Sequence, residues 1–317
     1  MYLLSQRSRR AKGQAECTDY FFGSSLRSLT GKEGTKDVMK TTTCRLAAIL
    51  LLITCITGCV KLALRVTPSL ISNLSQVMFE ECDPLLAKQS IPGDLKLMEG
   101  LLKSDPENVR LLTALCTGFT GYAMLFVEDE DAERASRLYL RARNYGLRAL
   151  GLKVPFESGM LETIVKEQLE VLFWTTMAWN SWVGLNLDKP VALAQLNVSQ
   201  ACLKRVMEID GDYFFGTPYI LMGAILAARP EYLGGDKVRA KEYFDRAIGL
   251  SNGEFFLAQY YFAKYYAVRV QDKKLFIELI KEVESTPPDK LKEICLINAV
   301  IKQKAKHLLD MSDELFL

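Results

Sequence analysis

The chain has 317 residues, 49% of them hydrophobic and 25% charged, so it can build a sizeable core and is not a disordered protein. Its 40 basic and 38 acidic residues leave a formal net charge of +2, which gives no concentrated basic face for nucleic acid. A single histidine, His307, excludes chemistry that needs two or more His ligands.

The first 38 residues are polar, with a basic cluster at Arg7, Arg9, Arg10 and Lys12. They read as a leader or as an upstream mis-start. A second start follows at Met39, with Lys40 and Arg45 ahead of an apolar run from Leu46 to Ile56. That run is too short for a hydrocarbon core about 30 Å thick, which takes about 20 residues, and has the length of a signal-peptide core. Ile56-Thr57-Gly58-Cys59 then resembles the lipobox of bacterial lipoproteins. The expected organisation is a leader over 1–38, a signal peptide over 39–58, and a mature domain over 59–317 lipidated on Cys59. Each buried methylene contributes about 0.8 kcal/mol, so two or three acyl chains hold almost permanently where one holds weakly. The resulting expectation is a periplasmic protein anchored to the inner or outer membrane. Cys82, Cys116, Cys202 and Cys295 remain in the mature chain, and the sequence does not choose among their three pairings.

After Cys59 apolar residues recur at spacings of three and four, and strand-like alternation is absent. Breakers are read at Pro92, Asp105-Pro106, Pro155, Lys189-Pro190, Pro218, Gly234-Gly235, Gly253 and Pro287-Pro288. Thr217-Pro218 offers an N-cap with Pro at the first helical position, and Asp188 is placed to cap a helix entered near Pro190. About eleven helices in antiparallel pairs result. Lys103-Ser104-Asp105-Pro106 has the form of a tetratricopeptide-repeat terminator. Leu112, Leu115, Cys116 and Phe119 then fill the large, large, small and aromatic positions of a first helix. Ala135-Tyr139-Ala142 and Ala240-Phe244-Ala247 fill the small, aromatic, small positions of second helices. Small residues let paired helices approach closely, and no single pair buries its apolar face, so stacking is required. The fold class is all-α: stacked antiparallel helical hairpins, a degenerate TPR-like solenoid.

Four features are candidates for function. Trp174, Trp179 and Trp182 share one helix with Asn180. They read either as core or as the aromatic lining of a ligand cleft with Asn180 orienting the ligand. Arg229 and Tyr232 lie in a loop with Gly234-Gly235 that is longer than a TPR needs. Arg229 either grips a carboxylate or completes a helix C-terminus. Tyr260, Tyr261, Tyr265 and Tyr266 form a stripe at helical spacing, read first as core, with Tyr261 and Tyr265 as further candidate lining. The run Glu128-Asp129-Glu130-Asp131 reads as a solvated loop ending in an N-cap. Glu162, Glu167 and Glu170 read as surface charges, and no catalytic or metal-binding motif is present.

Several segments together resemble the TatT family, the T-component associated with TRAP (tripartite ATP-independent periplasmic) transporters. They are Met222-Gly223-Ala224, Ala228-Arg229-Pro230, Gly234-Gly235-Asp236, Ala240-Lys241-Glu242-Tyr243-Phe244 and Ala263-Lys264-Tyr265-Tyr266-Ala267. Upstream, Phe173-Trp174 and Ala178-Trp179-Asn180-Ser181-Trp182 match as well. The likeness covers most of residues 59–285, and the leader has no counterpart in it. It implies a non-enzymatic periplasmic lipoprotein without cofactor, able to assemble as a homotrimer. It also implies a TRAP solute-binding protein (the P-component) as partner, and a cleft suited to a small, partly apolar organic acid. The alternative is a structural TPR lipoprotein that assembles envelope complexes without a small ligand. A weaker third reading is a helical cell-wall enzyme.

Overall fold

A computed structural model of the chain describes residues 69–316, apart from Glu157. The leader, the signal peptide and Cys59 lie outside the described residues. Every described element is helical, with no strand among the described residues. The helices are α1 (Ser69–Glu80), α2 (Pro84–Ser104), α3 (Val109–Phe126), α4 (Ala132–Ala149), α5 (Leu169–Gly184), α6 (Leu196–Asp210), α7 (Tyr213–Ala228) and α8 (Lys237–Leu250). α9 begins as α-helix over Phe256–Tyr261, widens into a π turn at Phe262–Ala267 and ends at Val268–Val270. α10 (Lys273–Ser285) and α11 (Cys295–Asp310) follow, then a single turn at Ser312–Leu315.

The helix starts are written in short polar side chains. Asp83, Asn108, Asp131, Asp236 and Asp272 each accept a hydrogen bond from a backbone N–H in the first turn of α2, α3, α4, α8 and α10. Thr217-Pro218 opens the right-handed part of α7, but Thr217 does not act as the expected N-cap, since its hydroxyl donates to a carbonyl and accepts no first-turn N–H. The backbone of Phe214, Phe215 and Gly216 is left-handed, and Thr217 Oγ1 donates to the Phe214 carbonyl at 2.6 Å. Right-handed α7 therefore begins only at this point. Two further expectations fail. Pro92 does not break α2, which runs through it, because Ala87, Ile91, Leu95, Met98 and Leu102 bury one continuous stripe on both sides of it. Packing of that stripe outweighs the missing N–H. Asp188 does not cap the helical turn at Pro190–Leu193. Lys189 holds the cap position without a side-chain bond, and Pro190 opens the turn.

Consecutive helices pack as neighbours in the pairs α3/α4, α5/α6, α7/α8 and α9/α10. The repeat positions do what their sizes imply: Leu112, Leu115, Cys116, Ala135, Tyr139, Ala142, Ala240, Phe244 and Ala247 are all wholly buried. α3 is apolar enough and long enough to cross a membrane, but 78% of it is buried, so it is the central helix of the stack. One helix, α11, fills part of the space beside the stacked hairpins. α11 packs on α9 and α10 at one end of the stack and on α1, α2 and α3 at the other. A disulfide between Cys82 and Cys295, 213 residues apart, fixes this closure, while Cys116 and Cys202 stay free and buried.

Candidate functional site

Filling by α11 is incomplete. A cavity of about 820 Å³ remains among the start of α2, the end of α3, the π-turn segment of α9, and α11. Its walls are apolar, formed by Leu125 and Phe126 of α3, Val268 of α9, and Val300, Leu308 and Met311 of α11. Its polar side carries Lys88, Lys264, Lys304 and His307 with Asp129 and Glu130, and Tyr260 and Tyr265 stand beside them. The π turn matters here. A turn wider than 3.6 residues brings adjacent Lys264 and Tyr265 onto the face already holding Tyr260.

The charges are wired across the sequence. Lys304 Nζ donates to Asp129 Oδ2 at 2.6 Å and to the Met124 carbonyl at 2.7 Å, and Lys264 Nζ lies 3.9 Å from Asp129 Oδ1. Lys88 pairs with Glu130 at 2.7 Å. The Lys264 ammonium also lies 5.5 Å from the ring centres of both Tyr260 and Tyr265, within reach of a cation–π interaction. Partial burial pushes the Asp129 carboxyl up, but Lys304, Lys264 and His307 outweigh burial and hold it below its ordinary value. Burial and the nearby carboxylates of Asp129 and Glu128 push the phenols of Tyr260 and Tyr265 up, so both remain neutral donors. Behind them the Tyr139 hydroxyl donates to Glu128. The acidic run is therefore more than a solvated loop. Asp131 caps α4 as expected, while its three predecessors bind Tyr139, Lys304 with Lys264, and Lys88.

The residues singled out by sequence fall in different places. Trp174, Trp179, Asn180 and Trp182 do not line this cavity. Trp174 packs with Phe79, Phe173 and Phe214 at centroid distances of 5.1 to 5.8 Å. Trp179 is wholly buried and donates Nε1–H to Gln195 at 3.1 Å. The Arg143 guanidinium lies 5.1 Å from the Trp179 ring and 5.6 Å from that of Trp182. Asn180 donates to the carbonyls of Thr176 and Ser199, tying α5 to α6. Arg229 is the extended residue that ends α7, and Tyr232, 85% exposed, sits on the turn after it, outside the cavity. Tyr265 lines the cavity, and Tyr261 packs edge-on against it at 5.0 Å. Sequence reasoning did not place Lys88, Lys264 and Lys304 in a site and read Asp129 as part of a solvated loop. The available signal was a lysine set among the apolar positions of α11 and another between tyrosines of α9. Among the described residues no cluster of three His, Cys, Asp or Glu could hold a metal ion.

The fold is a helical stack with a half-open pocket, apolar in its walls and lysine-bearing at its rim. Comparison with known families places the chain. Residues 80–316 match the family described as TRAP transporter T-component, and the chain belongs to that family. An uncharacterized protein of Treponema pallidum (strain Nichols) is 26% identical over 200 residues, covering 55% of this chain and 62% of that protein. The chain thus spans less than two thirds of that relative's length.

Proposed function

We propose that this T-component is a lipid-tethered periplasmic protein that docks a TRAP solute-binding protein and holds a small, partly apolar organic acid in transit, by binding and without bond chemistry. The observation that carries the reading is the cavity itself. At about 820 Å³, with apolar walls and convergent ammonium groups, it has the size and polarity of a small-molecule site. The lipobox at Cys59 supports the tether, and the Cys82–Cys295 disulfide suits an oxidising compartment. Confinement to the membrane plane would raise the effective concentration of the partners.

Affinity purification after mild detergent extraction tests this reading. A TRAP solute-binding protein should co-elute. Recovery of an outer-membrane β-barrel in its place would favour the structural assembly lipoprotein. For the tether, Cys59→Ala should release the protein into the soluble periplasm or block its processing. A variant that stays acylated and membrane-bound overturns the lipobox assignment.

A further inference from the structure

Of the two partners in the shortest ion pair of the cavity, the Lys304 side chain is only 15% exposed while that of Asp129 is 46% exposed. The ammonium is the fixed partner. It is held on α11 in the middle of the core contacts and donates also to the Met124 carbonyl. Asp129 rides on the turn between α3 and α4, so it can swing toward solvent without unwinding a helix. A largely buried ammonium left without a counter-charge is costly, so whatever displaces Asp129 must itself bring a carboxylate.

The placement of the ammonium groups then limits the ligand. The cavity carries Lys88, Lys264 and Lys304 against Asp129 and Glu130, and Lys88 is already taken by Glu130. His307 is the other titratable base that faces Asp129. Lys304 and Lys264 both converge on the single Asp129 carboxylate, one toward Oδ2 and the other toward Oδ1, so one ligand carboxylate in its place would meet both. A second one would find Lys88 already paired with Glu130, and against Leu125, Val300, Leu308 or Met311 an apolar end is favoured over a carboxylate.

We propose that Asp129 is a built-in stand-in for ligand, and that the cavity selects monocarboxylates with an apolar tail, the head replacing Asp129 between Lys264 and Lys304. This rests on the cavity being an organic-acid site. Calorimetric titration of the full chain with octanoate, octanedioate and 1-octanol tests both. Octanoate should bind tightest of the three. Asp129→Asn, which keeps the shape but removes the competing charge, should bind octanoate about tenfold more tightly, and Lys304→Met or Lys264→Met should lose about tenfold. Asp129→Ser is the second variant should Asp129→Asn fold poorly. The stand-in role is overturned if octanoate binds but removal of the Asp129 charge leaves its affinity unchanged or weaker. Monocarboxylate selection is overturned if octanedioate matches octanoate. If no probe binds wild type or either Asp129 variant, the organic-acid site itself falls.

Discussion

Gly146 marks the tightest crossing in the stack. A Cβ there would stand 1.9 Å from Thr175 Oγ1 on α5 and 2.9 Å from Cys116 Sγ on α3, so three helices meet at a point where only hydrogen fits. Gly146→Ala should lose roughly 2 kcal/mol of stability through overpacking, read as a fall in the urea midpoint with unchanged slope. An unchanged midpoint would mean that the helices are less closely packed. Burial also pushes the Cys116 thiol up to about 12, so this cysteine should resist alkylation in the native protein and react on unfolding. Glu99 makes a pH prediction. Burial raises its carboxyl, but hydrogen bonds from Lys96, Tyr145 and Arg141 and the Arg141 charge bring it below its ordinary 4.5. A carboxyl depressed in the folded state contributes stability that is fully present above 4.5 and lost as pH falls through the folded value. Glu99→Gln should therefore flatten the acid limb of the stability–pH curve below 4.5, with little change in its slope at neutral pH.

At the scale of elements, the left-handed turn before α7 is the least ordinary backbone in the fold. Gly216 has φ +73°, and a Cβ on it would meet Leu250 Cδ1 at 2.7 Å and the Ala247 Cα at 3.3 Å. Gly216→Ala should thus destabilise by about 1–2 kcal/mol, while Gly249→Ala, facing open space in α8, should be neutral or slightly stabilising. Equal effects at the two glycines would contradict the close approach of α7 and α8. The start of α4 was legible because capping is local chemistry, and Asp131 declares it within three residues; Asn108, Asp236 and Asp272 do the same for α3, α8 and α10, though they were not singled out as caps from the sequence. Pro92 misled because the stripe that carries α2 past it draws its energy from contacts outside the helix. The Trp-bearing α5 was ambiguous for a similar reason. Its apolar residues run nearly all round, so their pattern gives no face, and only neighbours show that Trp174 and Trp179 are packed inside.

For the whole molecule, the closing contact of α11 was the part that sequence could not reach. Periodicity shows that a helix has an apolar face and leaves the partner open, and Lys304 finds Asp129 across 175 residues. The candidate site followed from that closure, so of its residues only Tyr265 was read as lining, while Tyr260 was read as core and Asp129 and Glu130 as a solvated loop. The Cys82–Cys295 bridge holds the same closure covalently. Replacing both cysteines by serine should lower the melting temperature by roughly 10 °C, since a long bridged segment contributes about 3 kcal/mol and a domain this size shifts a few degrees per kcal/mol. An unshifted melting temperature would show that α11 docks without help from the bridge. Hydrogen exchange of the full chain with and without saturating octanoate bears most directly on where ligand sits. Slowed exchange confined to residues 124–131, 260–268 and 300–311 is the expected outcome. Slowed exchange along residues 174–182, with none around the cavity, would contradict it.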